Sequence, residues 1–333
     1  MQNPMVSVYM ITYNHKPYIR KAIDCVLAQK TNFPFEVVIG EDCSTDGTRE
    51  IVFDYAKRYP DIIRVITSEQ NVGAHKNNYR TGKACSGKYV AFCEGDDYWH
   101  NPDKLQKQVD YMESHPKCGM VSGDVDIYYN NLNKFKKSFN YSNGFQSIRN
   151  LYIEQVLWGD WKFAIWTCTV MIRRNLFEKV KESDAYLHQN EKLPLGDLQI
   201  WAEISVISEV TYIPETLAVY RVIDESASRS KDPKKNLRFS KSIFEIKSYL
   251  CEKYNLPENR RRMAEASWCD SSLRLAFLER SSDLALEVRK KKQKFTMAEW
   301  LRYFGAKYIV IYYGYRLAAL FLKLFRNQRE QWP

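Results

Sequence analysis

The stretch KYVAFCEGDDYWHNPDKL, residues 88–105, decides the fold. Tyr89 to Phe92 is an uninterrupted apolar run of strand length. Asn101 and Pro102 open a helix, with Asn as the cap and Pro at the first helical position. Between strand and helix sit Glu94, Asp96 and Asp97, three carboxylates within four positions. Ionised, they repel one another, so a fold keeps them together for a cation or uses them as turn and cap residues. Asn101 already accounts for the helix start, which leaves Asp96 and Asp97 free for a cation.

The same strand–loop–helix unit recurs upstream. VSVYMIT (6–12) is a β-branched apolar run followed by a helical pattern through residues 16–30. FEVVIGED (35–42) precedes STDGTREIVFDYAKRY, and IIRVIT precedes a helix over about 74–85. Strands alternating with helices of this length predict a parallel, doubly wound sheet, whose ligands sit beyond the carboxyl ends of the strands. Three polar clusters fall at those ends: TYN (12–14), EDCSTDG (41–47) and EGDD (94–97). Ser44 and Asp46 read as turn and cap residues, whereas Asp42 stands at the strand terminus itself. Residues 120–230 mix short strands, WTCTVMIRR among them, with a helix beginning at GDLQIWAEISVIS. The aromatic cluster at residues 158–166 is expected to pack in the core or a lid.

Composition is ordinary for a globular chain of 333 residues, with 45% apolar and 27% charged. The net charge of +10 is unevenly placed: residues 231–333 hold 23 Lys and Arg against 11 Asp and Glu. That segment reads as helical and basic, and SASRSKDPKK (226–235) is the natural boundary before it. Its anionic partner is membrane lipid rather than nucleic acid, because no RNA-recognition or helix-turn-helix pattern accompanies the charge. The eight cysteines form no C-x-x-C pair, and the five histidines are isolated, so both sets read as packed or surface residues. The N-terminus has no basic region followed by an apolar one, which points to a cytoplasmic chain.

No G-x-G-x-x-G follows the first strand, and in GAHKNNYRTGKA (73–84) the glycines are nine apart with Ala after the lysine. A diphosphate bound here therefore needs its positive charge from elsewhere, and a divalent cation on strand-end carboxylates would supply it. VSVYMITYNHKPYIRKAIDCVLAQ, GEDCSTDGT, NVGAHKNNYRTGKACSGKYVAFCEGDDYW and NPDKLQKQVDYM, in that order, resemble successive blocks of the family 2 glycosyltransferases. The likeness continues more loosely through TCTVMIRR, LPLGDLQIWAEI and LAVYRV to about residue 225.

The resemblance implies a GT-A fold, a Rossmann-like, mostly parallel sheet flanked by helices. It implies an inverting transferase taking one hexose or N-acetylhexosamine from a UDP-sugar to a glycan or lipid-linked acceptor in surface polysaccharide synthesis. Residues 1–230 would form that domain, with 1–115 binding the nucleotide-sugar and 116–230 the acceptor; residues 231–333 would be a basic helical extension. By the same likeness Thr12, Tyr13 and Asn14 hold the base, and Asp42 accepts from its imide. Asn71, Gly73 and Asn78 lie near ribose and diphosphate. Asp96 and Asp97 form the D-x-D-type site for ribose and for Mn or Mg, with Glu94 as a further metal ligand. Asp197 matches the general base, though its position before LQIWAEISVIS equally suits a helix N-cap; from the aromatic cluster itself, Trp166 and Thr167 are the expected acceptor-side residues.

The sequence departs from the family after Tyr220 and Arg221, where Val222 to Glu225 lack the histidine that often completes the metal site. The Q-x-x-R-W signature of processive synthases is absent too, so a single transfer is expected. The different-class alternative is an inactive nucleotide-sugar- or membrane-binding module. In the C-terminal segment, Arg302, Arg316 and Lys323 fall on one face of a single helix, expected to lie on an anionic membrane at the inner face of the cell through residues 295–333. A helix packed back on its domain, or an oligomer contact, is the competing expectation for that segment.

Overall fold

The computed structural model describes residues 3–145, 148–159, 163–190, 193, 196–223 and 230–314. The chain divides into two compact units, Met1–Asp224 and Glu225–Pro333.

The first unit opens with β1 (Val6–Thr12), α1 (Ile19–Leu27), β2 (Phe35–Glu41), α2 (Thr48–Arg58), β3 (Ile63–Ile66), α3 (Ala74–Ala84), β4 (Tyr89–Phe92), β5 (Tyr98–Trp99) and α4 (Lys104–Ser114). It continues through β6 (Cys118–Tyr129), β7 (Lys134–Lys136), α5 (Phe139–Ser142), β8 (Ile148–Arg149) and α6 (Ile153–Trp158). β9 (Met171–Arg173), α7 (Arg174–Ser183), α8 (Ala185–His188), α9 (Leu198–Ile207) and β10 (Glu209–Val222) complete it. Among the described residues the sheet runs β3-β2-β1-β4-β9-β6-β10-β5, with β7 beside β6 and β8 beside β10.

β1, β2, β3 and β4 pair in parallel, as the alternation of strands and helices requires. β9 runs antiparallel to both β4 and β6, so the parallel sheet is interrupted at its centre. Sequence reading put a strand across all of WTCTVMIRR; the strand is confined to Met171–Arg173, and Thr167–Thr169 forms a 3-10 turn instead. That turn delays the start of the strand and leaves Thr167 outside the sheet.

The order β3-β2-β1-β4 contains a switch point. The chain moves outward from β1 to β3 and then returns to the other side of β1 as β4. Side chains alternate along β1, so Val6, Val8 and Met10 pack with Ile19, Ile23 and Val26 of α1, while Tyr9 joins Phe92, Phe177 and Trp201 on the opposite face. Both faces are dry, which fixes the register: Thr12 pairs with Glu41, and Tyr9 with Phe92. The ends of β1 and β2 are thereby level, while β4 stops three residues short and its following loop comes up beside Thr12 at Gly95. Gly40 is required in this arrangement, since a Cβ there would lie 1.9 Å from Thr81 Oγ1 on α3.

Helix α4 begins two residues later than the sequence indicates, at Lys104 with Asp103 in the cap position. Asn101 still organises the turn: its Oδ1 accepts from Asp103 N at 2.9 Å, and its own amide donates to Glu215. Pro102 thus sits in the lead-in turn rather than in the helix.

The second unit is helical: α10 (Pro233–Lys253), α11 (Glu258–Glu279), α12 (Ser282–Lys291) and α13 (Met297–Lys307). Asp232, Ser281 and Thr296 cap three of these helices, and Thr296 and Glu299 form a reciprocal capping box. Trp268, Leu273, Ala276, Val288, Tyr303 and Ala306 make its core. The expected single helix joining Arg302 to Arg316 and Lys323 is not formed. α13 stops at Lys307 because Tyr308 adopts an extended backbone. Arg302 lies 3.6 Å from Asp270 within this unit, and residues 316 and 323 lie outside the described residues. No helix among the described residues is long and apolar enough to cross a membrane.

Candidate active site

Two loops after adjacent strands are stitched to one another. Asp42 N donates to Thr12 O, Asn14 N to Ser44 Oγ at 3.0 Å, and Thr45 N to Asn14 Oδ1 at 3.0 Å. Asp46 accepts from Lys16 N and Thr48 N, so Ser44 and Asp46 are turn residues. Asn14 and Cys43 both take left-handed backbone conformations, φ 55° and 58°. Asparagine tolerates that region; for Cys43 it is strain held by its neighbours. Glu41, fully buried, supplies the hold. Its carboxylate accepts from Ser44 N at 2.6 Å, Cys43 N at 3.1 Å and Thr67 Oγ1 at 3.0 Å, with Arg49 3.4 Å away.

Asp42 extends the same lattice to the third loop. Oδ1 accepts from Val72 N at 2.9 Å and Oδ2 from Gly73 N at 3.0 Å, while Asn71 Nδ2 donates to Asp42 O. Arg80 binds Glu41 O at 2.8 Å and reaches Asp42 Oδ1 at 3.4 Å. Asn78 lies one turn further along α3, its Oδ1 accepting from Lys181 Nζ at 3.3 Å; a Cβ on Gly196 would lie 3.0 Å from its Nδ2. Tyr13 projects into solvent.

The acids after β4 are treated differently. Gly95 N donates to Ile11 O, which brings this loop against β1 so closely that a Cβ on Gly95 would lie 2.6 Å from Thr12 Oγ1. Asp97 is buried, with Oδ1 accepting from Arg221 N at 2.8 Å. Its Oδ2 has no hydrogen-bond partner at normal distance, although the Cys168 thiol lies beside the carboxylate. Burial, reinforced by Asp96 and Glu94, pushes the Asp97 carboxyl well above its ordinary range. Burial and the charges of Asp96 and Asp197 push Glu94 up to about 8. Arg221 donates Nε to Asp96 O, with its guanidinium among the rings of Tyr18, Tyr98 and Tyr128.

Asp197 caps α9, accepting from Leu198 N at 2.7 Å through Oδ1. Its other oxygen accepts from Thr167 Oγ1 at 2.6 Å. Packing explains why this helix end meets β4: Trp201, one turn along, sets its ring edge-on to Phe92 at 5.2 Å, two residues before Glu94. Trp166 packs against Phe139 and Tyr220, and its Nε1 is buried without a partner. Within the aromatic cluster, Phe163 is core, stacked on Phe145 at 4.0 Å; residues 160–162 lie outside the described residues.

Five of the residues singled out from the sequence therefore share one neighbourhood: Glu94, Asp96, Asp97, Asp197 and Thr167. Thr12 borders them through Gly95. Asp42, Asn71 and Gly73 form a second group on the neighbouring loop. Among the described residues no three His, Cys, Asp or Glu side chains form a ready-made metal cage. The residues nevertheless suit a hard divalent ion, which takes one or two carboxylates and completes its shell with water and phosphate oxygens. The orphaned Asp97 Oδ2 and the mutual repulsion of Glu94, Asp96 and Asp97 describe a deficit of positive charge that such an ion would relieve.

Sequence reasoning missed three participants. Glu41 was overlooked beside Asp42, though a second acid at a buried strand end was a usable signal. Arg221 was noted only as half of a Tyr-Arg pair. His15, set aside as a surface or satisfied histidine, has Nε2 4.0 Å from Asp96 Oδ2 and a buried Nδ1 without a partner. His188 does meet the expectation of a satisfied histidine, at 2.5 Å from buried Glu203.

The sheet order, the adjoining ends of β1 and β2 and the acid loop after β4 are those of a GT-A-type fold. Solved structures agree: S. aureus TarS residues 1–349 in complex with UDP-GlcNAc superposes with a TM-score of 0.55 at 18% identity, over 90% of this chain and 79% of that one. The mannosyltransferase PcManGT of Pyrobaculum calidifontis, solved with GDP-Man and Mn2+, gives 0.55 at 15% identity, over 95% and 88% of the two chains. The family model Glycosyl transferase family 2 matches residues 7–181, and the chain belongs to that family.

A putative teichuronic acid biosynthesis glycosyltransferase of Bacillus subtilis, TuaG, is 31% identical over 232 residues, covering 68% of this chain and 83% of that protein. An uncharacterised protein of Mycobacterium tuberculosis is 36% identical over 224 residues, 65% of this chain. The match spans 58% of the length of that mycobacterial protein.

Proposed function

We propose that this chain transfers a single hexose or N-acetylhexosamine, with inversion, from a UDP-sugar to a glycan or lipid-linked acceptor in bacterial surface polysaccharide synthesis. The likeness to TuaG supports the polysaccharide context, and the UDP-GlcNAc complex of TarS supports the donor class. The observation that carries the chemistry is the placement of Asp197. It stands close enough to the β4 acids for its charge to act on Glu94, and its Oδ2 is held by Thr167.

In this reading Thr12, Tyr13 and Asn14 line the base, and Asp42 accepts from its imide. Asn71, Gly73 and Asn78 follow the ribose and diphosphate, and Asp96 takes the ribose. Asp97, with Asp96 and Glu94 beside it, holds a divalent ion, Mn or Mg. When bound, that ion stabilises charge on the departing diphosphate. Trp166 and Thr167 border the acceptor. Asp197 accepts the proton of the acceptor hydroxyl as its oxygen bonds to the anomeric carbon. The bond from that carbon to the diphosphate oxygen breaks on the opposite face, its electron pair leaving with UDP. Residues 1–115 would serve the donor and 116–230 the acceptor, ahead of the helical region from 231.

Asp197→Asn tests the assignment. Turnover, followed as UDP release in the presence of acceptor and Mn, should fall about a thousandfold while UDP binding by calorimetry is unchanged. Undiminished turnover would remove Asp197 from the mechanism, and loss of UDP binding would reassign it to the donor site.

A further inference from the structure

The second unit carries a surface feature that sugar transfer does not use. Glu299, Tyr303 and Ala306 of α13 are buried in the helical core. The helix repeat places residues 297, 301 and 304 on the opposite side. There stand Met297, 82% exposed, Leu301 and Phe304, with Tyr308 exposed at the helix end. Immediately beyond it Ile309, Val310 (79% exposed) and Tyr313 are exposed as well, while Tyr312 turns inward onto Phe277. A helix packed on both faces would bury these groups, and a purely solvated face would not be built from them. A contiguous row of large apolar side chains is a contact surface.

Basic residues flank the row in the sequence. Lys290 and Lys294 are exposed on the approach to α13, and Lys307 closes it. Residues 289–307 contain seven Lys and Arg against one carboxylate, Glu299, which Lys292 already engages at 2.6 Å. A second copy of this chain would bring like charges together across the row. A convex helix face offers no cavity for a single small molecule. Apolar side chains flanked by lysines fit the headgroup–acyl boundary of an anionic bilayer.

We propose that Met297, Leu301, Phe304, Tyr308 and Val310 enter the surface of an anionic bilayer, with Lys290, Lys294 and Lys307 on its headgroups. This replaces the basic helical face expected from the sequence with an apolar one. It is independent of the transfer chemistry.

The test uses the full chain and vesicles of phosphatidylcholine with and without phosphatidylglycerol. Co-sedimentation should occur with the anionic vesicles, and should weaken as salt rises. Leu301→Glu/Phe304→Glu should reduce vesicle affinity about tenfold or more. Met297→Glu, at the most exposed position, should act in the same direction, with circular dichroism confirming the fold of each variant. Sugar transfer to a water-soluble acceptor should be unchanged in all of them. Equal binding by wild type and variants, or no vesicle binding at all, would overturn the proposal. Self-association in sedimentation velocity that the same substitutions abolish, without vesicle binding, would overturn it in favour of a second copy.

Discussion

Two pairs of acids stand at the ends of β2 and β4, the strands on either side of β1, and are handled in opposite ways. Glu41 and Asp42, after β2, are engaged by the backbone N–H groups of Cys43, Ser44, Val72 and Gly73 and by Arg49 and Arg80. Glu94 and Asp97, after β4, are left to repel each other, with one N–H from Arg221 between them. Buried carboxylates that are fully bonded build structure; buried carboxylates left short of donors keep capacity for a ligand. The first pair holds three loops together, and the second is short of donors.

The sharpest way to break this comparison is Asp97→Asn. Turnover should drop about a thousandfold, with Mn affinity lost in calorimetry. The metal-free protein should melt no lower than wild type, because repulsion is relieved and the bond from Arg221 N is kept. Glu41→Gln should behave in reverse. Its amide would face N–H donors, so urea unfolding followed by tryptophan fluorescence should report a loss of about 3 kcal/mol. An unaltered unfolding curve would mean that Glu41 does not hold the loops.

A smaller effect concerns pH. Glu94 titrates near 4.5 when unperturbed and is pushed up to about 8 in the fold. The folded state therefore keeps a proton that the unfolded chain has lost, and stability of the metal-free protein should fall as pH rises across that interval. A cation competes with the same proton. Mn affinity should climb between about pH 5 and 8 with proton release, and Mn should restore the lost melting temperature. A melting temperature independent of pH in this range, with and without Mn, would remove the distinction between the two pairs.

Much of the first hundred residues was legible because its information is local. β1, β2 and β4 are short apolar runs ending in polar residues, and parallel pairing then levels Thr12 with Glu41 and brings Gly95 beside Thr12. The acids at 94–97 could be seen as a group for the same reason. What escaped depends on partners far along the chain. Arg221 reaches Asp97 from 124 residues away. β9 enters the sheet antiparallel, so neither alternation nor spacing announces it. His15 gains its setting only when Gly95 closes on Thr12. Glu41 and Asp42 are adjacent in sequence, yet their roles part through Thr67, Arg49 and Val72, which no local pattern singles out. The end of α13 at Tyr308 was missed because Tyr, Phe and Lys at helical spacing continue through it.

The bond from Arg221 N to Asp97 also sets an order of events during synthesis. Sheet pairing of β1, β2 and β4 needs only the first hundred residues, whereas the strand that satisfies Asp97 emerges 124 residues later. At translation rates of about 5–20 residues per second, the acid loop waits roughly ten seconds for β10. A nascent chain in that interval carries the half-assembled crevice with its acids hydrated, and β10 must bury them as it docks.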